Sequence, residues 1–446
     1  MNATFIRELK CRLAKPAWWR QYRESLAHDA WTRDRLEDLN WEKRLAILKF
    51  AYENSPYYAK LYRDAGLEPG DVKTEADWQR VPMLTREALR QNFETIQVRD
   101  AVRHPHKLYT TGGSTGEPSK VLKDDGFSSV PLNWRASVWA GVSCAGNSAT
   151  IMRTHPKNWL GRLRHVLANF PSVNFQLDAG AMDEAAIAKF VAEWRRYRPQ
   201  TVTGYVGGVH QIALYCIERG IELPSPTAIF TTAAPLPLAV RKVVSTTFRT
   251  PVFDGYVATE AHPMANQCRD LAQEGLELLH IHSDYRHLEF VDERGLCVPD
   301  ETLGDILVTD LEDRVFPIVR YRLGDRGRRM NRTCTCGRPY PLMDAVRGRM
   351  GYKIYLEKGV LTGGWTCLFE KYPEAVHGFQ IHQFADKSVR LSVVLNRNYA
   401  DAKREVGLVA ATMQKQLGAL PLSVEYVDFI PHDRGKLRYI ICDVQE

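Results

Sequence analysis

The chain has 446 residues, 44% of them apolar and 25% charged, enough to bury more than one core, which excludes a disordered or collagen-like polypeptide. Its net charge of +7 is mild for this length and suits an enzyme for phosphorylated or carboxylate ligands as well as a nucleic-acid binder. No apolar run reaches the roughly 18 residues of a membrane span, and Arg7, Glu8, Lys10 and Arg12 replace an apolar leader. A cytoplasmic protein without a transmembrane segment is expected, and nine mostly scattered cysteines fit a reducing compartment.

A helix is predicted from Phe5 to about Glu53, with Trp41, Leu45, Leu48 and Tyr52 on one face. Trp18 and Trp19, among the basic residues of Lys15 to Arg23, read as core packing or as a membrane-surface helix, and periodicity favours packing. Ser55-Pro56 ends the helix, and Asp77 to Gln91 reads as another, split by Pro82. Tyr109 to Lys120, Y-T-T-G-G-S-T-G-E-P-S-K, gathers glycines and hydroxyls that can wrap an anion. It is not a Walker A loop, because Glu117, Pro118 and Ser119 separate Gly116 from Lys120, and a turn without a ligand fits it too.

Next come a helix Val130 to Ala145 and strands Thr150 to Thr154, Val173 to Leu177, Thr201 to Tyr205, Ala228 to Ala233 and Pro251 to Tyr256. Helices from Asp183, Val209 and Leu238 alternate with the later strands, which predicts a parallel, doubly wound sheet with ligands at the carboxyl ends of its strands. Short runs Leu288 to Val291, Gly304 to Asp310 and Phe316 to Arg322 predict an antiparallel subdomain. The last hundred or so residues read as α+β: strand Lys353 to Leu356, helix Trp365 to Tyr372, strands Phe379 to Phe384 and Val389 to Leu395, helix Tyr399 to Leu417, strand Leu422 to Ile430. A boundary at Gly348 to Gly351 gives expected domains 1–348, with a helical cap, an α/β core and a β subdomain over about 277–348, and 349–446.

Several short stretches carry chemistry. In Asp254-Gly-Tyr-Val-Ala-Thr-Glu260 the position after a strand puts Thr259 and Glu260 near the sheet's carboxyl edge, where Glu260 reads as a Mg²⁺ ligand or as an ordinary exposed glutamate. Asp325 of Tyr321-Arg-Leu-Gly-Asp325 can accept from paired ribose hydroxyls. Pro431-His-Asp-Arg-Gly-Lys436 is a polar turn, of a kind that is often merely solvated. Arg153 to His165 reads as a site for a phosphorylated acceptor, such as CoA or a sugar nucleotide, or as a solvated helix face. Cys334-Thr-Cys336-Gly337 is a turn able to chelate a metal.

In this order and spacing, the glycine-rich loop, D-G-Y-V-A-T-E, Y-R-L-G-D and P-H-D-R-G-K resemble the motif series of adenylate-forming enzymes: acyl-CoA synthetases, peptide-synthetase adenylation domains and luciferases. Ala51 to Tyr58, Pro82 to Thr85 and Gly204 to Ala213 are similar to the phenylacetate-CoA ligase branch and its CapK-like proteins. The resemblance implies an α/β fold: a large N-terminal domain with parallel sheets flanked by helices plus an antiparallel β subdomain, and a small mobile α+β C-terminal domain. It implies an ATP-dependent, Mg²⁺-dependent ligase that makes an acyl-AMP from a small carboxylate and passes the acyl group to CoA or to another thiol or amine.

By that likeness Thr111, Gly112, Gly113, Ser114, Thr115, Gly116 and Lys120 would cradle pyrophosphate, and Ala233, Ala234 and Tyr256 would flank adenine. Asp325 and Arg349 would hold ribose, Glu260 Mg²⁺, Thr259 the α-phosphate, and Lys436 would reach the α-phosphate from the mobile domain. Val257 and Gly351 depart from the usual pattern, which has glycine at the first place and Asp or Lys at the second. Some relatives carry a structural zinc, which implies Cys268, His280, Cys334 and Cys336 as ligands, with His282 as the alternative histidine. The competing readings are an amide- or ester-forming enzyme of surface-polysaccharide or secondary-metabolite biosynthesis without CoA, and a zinc-containing nucleic-acid-binding protein. No nucleic-acid partner is expected, because the basic residues are dispersed.

Overall fold

The computed structural model describes residues 3–110, 119–126, 129–143, 145–154, 159–344, 353–357, 359–362, 365, 368–369, 371–430 and 438–444. Two units divide the chain: residues 8–141 with 255–346, and residues 1–7 and 142–254 with 347–446.

The long N-terminal helix is three helices, Ala3–Ala14, Pro16–His28 and Arg33–Asn54. Pro16 has no N–H with which to continue the first, and Thr32 Oγ1 accepts from the backbone N–H of Arg35 at 3.3 Å to start the third. Leu48 is buried on the core of this unit, with Trp41, Leu45 and Tyr52 packed beside it. Trp18 and Trp19 are half-buried, Trp19 against the ring of Tyr22, so they pack on protein. The predicted helix Asp77 to Gln91 is two short ones, Glu75–Trp78 and Arg86–Gln91, and the helix from Val130 stops at Trp139.

In the unit of residues 8–141 and 255–346, strands His106–Thr110 and Lys120–Asp124 pair antiparallel, with Thr110 opposite Lys120. Strands Arg286–Val291, Gly304–Asp310 and Tyr321–Gly327 make an antiparallel sheet. A second antiparallel set runs through His262–Asn266, Leu278–Ile281, Leu342–Asp344 and Arg329–Met330, so antiparallel pairing begins well before Leu288. The predicted strand Phe316 to Arg322 is displaced to Tyr321–Gly327. Asp313 Oδ1 accepts from the backbone N–H groups of Val315 and Phe316, each at 2.9 Å, which bends the chain there, and the apolar run Phe316 to Val319 is buried as irregular backbone.

In the other unit, strands Asn174–Asp178, Ser148–Met152, Thr201–Tyr205 and Ala228–Thr232 are parallel neighbours in that order, and Val252 to Asp254 extend the set. Helices Glu184–Tyr197, Val206–Glu218 and Leu238–Phe248 cover them; Asp183 caps the first by accepting from the N–H of Ala186 at 2.8 Å. A helix Trp159–Asn169 follows Ser148–Met152, overlapping the stretch Arg153 to His165 for which a helix face is one of the two readings. In the C-terminal part, strands Leu422–Tyr426, Val389–Leu395, Val376–Gln383 and Ile440–Cys442 form a sheet in that order, accompanied by helix Ala402–Leu417. The predicted helix Trp365 to Tyr372 falls partly outside the described residues; Trp365 and Phe369 are buried in this core. This mixed α/β architecture accords with the expected fold class.

Candidate functional site

Strand Val252–Ala258 turns at Thr259 and Glu260 and returns antiparallel as His262–Asn266, with Ala258 opposite His262. The turn is tight: His262 has φ of 58°, a left-handed conformation costly for a side chain with a Cβ, of the kind found where geometry serves a site. Thr259 is half-buried at the tip and Glu260 is buried. On strand Tyr321–Gly327, Gly324 has φ of 81°, which glycine adopts without strain, and Asp325 follows it, buried.

Two hydrogen bonds join this hairpin to that strand. Tyr256 Oη donates to Asp325 Oδ2 at 2.9 Å, and Tyr321 Oη donates to Glu260 Oε1 at 3.1 Å. Burial first, and then the charge of Glu260, raise the Tyr321 phenol above its ordinary value, so it stays a donor. The pair of rungs holds a carboxylate suited to a hard cation, Glu260, and one suited to paired hydroxyls, Asp325, on a common frame.

A buried charge network lies behind the hairpin. Lys123 Nζ meets Asp310 Oδ2 at 3.1 Å and Asp313 Oδ2 at 3.3 Å, and Arg286 Nη1 meets Asp310 Oδ1 at 2.9 Å. Arg286 Nε also donates to the carbonyl of Ala261, the residue after Glu260. The strand that leaves the glycine-rich loop is thereby tied through three charged side chains to the turn that carries Glu260. Burial would raise the Asp310 carboxyl, but Arg286 and Lys123 outweigh it and hold it at about 2. Burial, then the charges of Lys123 and Arg286, push the His262 imidazole down to about 3. Sequence reasoning missed Lys123, Arg286 and Tyr321 as positioning groups; the available signal was a lysine in the short apolar run Val121-Leu122-Lys123.

Of the remaining expected site residues, Lys120 is exposed at the start of its strand. Ala233 and Ala234 are half-buried just past strand Ala228–Thr232 in the other unit, and Ala233 has φ of 72°, a left-handed alanine of the strained kind. Thr111, Gly112, Gly113, Ser114, Thr115, Gly116, Arg349 and Lys436 lie outside the described residues, as do the departure Gly351 and the proposed boundary.

The cysteine cluster is assembled. Cys268 Sγ lies 3.6 Å from Cys334 Sγ, and Cys336 Sγ lies 3.4 Å from His280 Nε2. All four ligand atoms fall within 4.8 Å of one another. Metal–sulfur bonds of about 2.3 Å in a tetrahedron set sulfurs about 3.8 Å apart, so the set fits a closed tetrahedral zinc site. Gly337, with φ of 73°, lets the C-x-C turn close. The Cys268 hydrogen bond and, after the opposing effect of burial, the His280 hydrogen bond press the Cys336 thiol towards the thiolate that a metal takes. His282 is engaged elsewhere: its Nδ1 is 2.6 Å from Arg135 Nη2, its Nε2 is 2.8 Å from Asn266 Oδ1, and Arg135 in turn pairs with Asp284. Of the two histidines, His280 therefore stands with the cysteines.

No protein-family model matches the sequence. Over 328 residues the chain is 24% identical to phenylacetate-coenzyme A ligase of Thermus thermophilus, across 71% of each protein. It is 24% identical over 289 residues to protein CapK of Staphylococcus aureus, across 61% of this chain and 58% of that one. Among solved structures it is similar to 2-hydroxyisobutyryl-CoA ligase in complex with 2-HIB-AMP, with a TM-score of 0.73, 17% identity, and 92% of this chain and 90% of the other covered. At that identity the structural likeness speaks for the fold.

Proposed function

We propose, from the premise that this chain stands in the adenylate-forming superfamily on its phenylacetate-CoA ligase and CapK branch, that it is an ATP-dependent carboxylate-activating ligase. A carboxylate oxygen of the substrate bonds to the α-phosphorus of ATP while the bond to the β-phosphate oxygen breaks, giving acyl-AMP and pyrophosphate. An acceptor thiol or amine then adds to the acyl carbonyl and AMP leaves. The observation that carries the reading is the doubly bonded frame of Tyr256–Asp325 and Tyr321–Glu260.

In this reading Asp325 accepts from the ribose hydroxyls and Arg349 donates to them, and Tyr256, Ala233 and Ala234 border adenine. Thr111, Gly112, Gly113, Ser114, Thr115, Gly116 and Lys120 take the pyrophosphate side. Glu260 would hold Mg²⁺, which when bound offsets phosphate charge, with Thr259 at the α-phosphate. Lys436 contributes the cation of the first step from a mobile domain 349–446, hinged near Gly351 to the domain 1–348. Zinc on Cys268, His280, Cys334 and Cys336 would be structural, since four protein ligands leave no open position.

CoA is the preferred acceptor, in keeping with the ligases the chain is similar to, and the protein is assigned to the cytoplasm; among the described residues no helix is long and apolar enough to cross a membrane. The likeness to CapK supports a second outcome, an amide or ester in surface-polysaccharide work. Hydroxylamine trapping across a panel of carboxylic acids, repeated with CoA and with amines, separates the two: CoA that competes with hydroxylamine supports the thioester, and an amine that alone competes supports the amide.

A further inference from the structure

The helix Trp159–Asn169 is amphipathic in the wrong sense for a core helix. Trp159, Leu160, Leu163, Val166, Leu167 and Phe170 recur at the spacing of one helical face, and all are exposed, Trp159 to 71%, Val166 to 62% and Phe170 to 59%. The side turned to the protein is small and polar: among the described residues of the helix, Gly161, His165 and Asn169 are the less exposed, and His165 Nε2 lies 3.2 Å from the carbonyl of Asn174. Exposed single apolar residues are ordinary, but a contiguous stripe of this composition marks an interaction surface.

Charge identifies what the stripe meets. Between Asp125 and Asp178 the sequence contains no Asp or Glu, while Arg153, Lys157, Arg162 and Arg164 fall in or just before the helix. Arg153 and Arg164 are exposed. A second copy of the same surface would bring like charges together, since Arg153 and Arg164 are exposed and no carboxylate lies between Asp125 and Asp178. An anionic bilayer surface offers an apolar layer to the exposed stripe and negative charge to the arginines, because Trp, Phe and Leu sink to the headgroup boundary while basic residues stay at it. We propose that this helix docks the protein on an anionic lipid surface, lying in its plane without crossing it.

The test is cosedimentation of the full chain with vesicles of phosphatidylglycerol and phosphatidylcholine, and with pure phosphatidylcholine. Binding to the anionic vesicles should exceed that to neutral ones by about tenfold, weaken with salt, and fall by about tenfold in the variant Leu163→Gln with Val166→Gln. Both positions are exposed, so that variant should keep the thermal melt of the parent. Arg164→Glu should lower anionic binding with the apolar stripe intact. The proposal is overturned if the parent ignores anionic vesicles, if the double variant binds as well as the parent, or if sedimentation shows self-association that the double variant abolishes while vesicles stay unbound.

Discussion

Tyr256 Oη and Asp325 Oδ2 meet at 2.9 Å with both residues buried, so the carboxylate assigned to the ribose is oriented before any nucleotide arrives. Tyr256→Phe keeps the ring and removes the donor. A hydrogen bond to a charged group is worth about 1.5 kcal/mol or more, so KM for ATP should rise about tenfold in pyrophosphate exchange with little change in the melting temperature. An unchanged KM would mean that Tyr256 does not organise Asp325.

Lys123 stands between Asp310 and Asp313 with its side chain only 4% exposed. Lys123→Met leaves Asp310 with Arg286 but strips Asp313 of the cation it meets in this network. Breaking a buried pair from one side costs about 3–5 kcal/mol, readable as a lower urea midpoint. A loss below about 1 kcal/mol would show that water reaches the network.

Metal analysis of the purified protein should find about one zinc per chain. Cys336→Ser should lose the metal and lower the melting temperature, and a chelator should release zinc together with reactive thiols. Metal-free protein with an unchanged melt in chelator would make Cys268, His280, Cys334 and Cys336 a reduced thiol cluster.

His262 is held at about 3 by burial and by the charges of Lys123 and Arg286, against an ordinary value of 6.5. The unfolded chain therefore gains a proton near pH 6.5 that the folded chain refuses until about pH 3. Its contribution to stability is complete above about pH 6.5 and is lost as the pH falls towards 3. His262→Asn, chosen because asparagine tolerates a positive φ, should flatten the decline in urea midpoint between these values. An identical slope in parent and variant would remove His262 from the acid response.

The alternation of strands and helices from Ser148 to Ala258 was legible because each element shows its own apolar period and its own stop, as with Pro199 after the Glu184–Tyr197 helix. The turn carrying Thr259 and Glu260 was legible for the same local reason. The network of Lys123, Arg286 and Asp310 was not, since the one local signal is a lysine in the apolar run Val121-Leu122-Lys123 and the carboxylates that pair it lie far along the chain. Phe316 to Val319 reads as a strand by composition, yet side chains take N–H groups that a ladder would need: Asp313 accepts from Phe316, and the Tyr58 hydroxyl from Val319. Cys334 and Cys336 were visible as a chelating turn, but Cys268 and His280 came forward only through family resemblance. Arg153 to His165 reads as a basic stretch or a solvated helix face because its arginines and lysine dominate the composition, and that the helix Trp159–Asn169 exposes its apolar face is visible only in the structure.

The central claim, formation of an acyl-adenylate, is tested most directly by exchange of labelled pyrophosphate into ATP with Mg²⁺ and a panel of carboxylic acids, without CoA. The account predicts acid-dependent exchange with at least one carboxylate, abolished in Lys436→Ala while the circular dichroism spectrum is unchanged. Exchange with no acid in the panel, or normal exchange in Lys436→Ala, would contradict it.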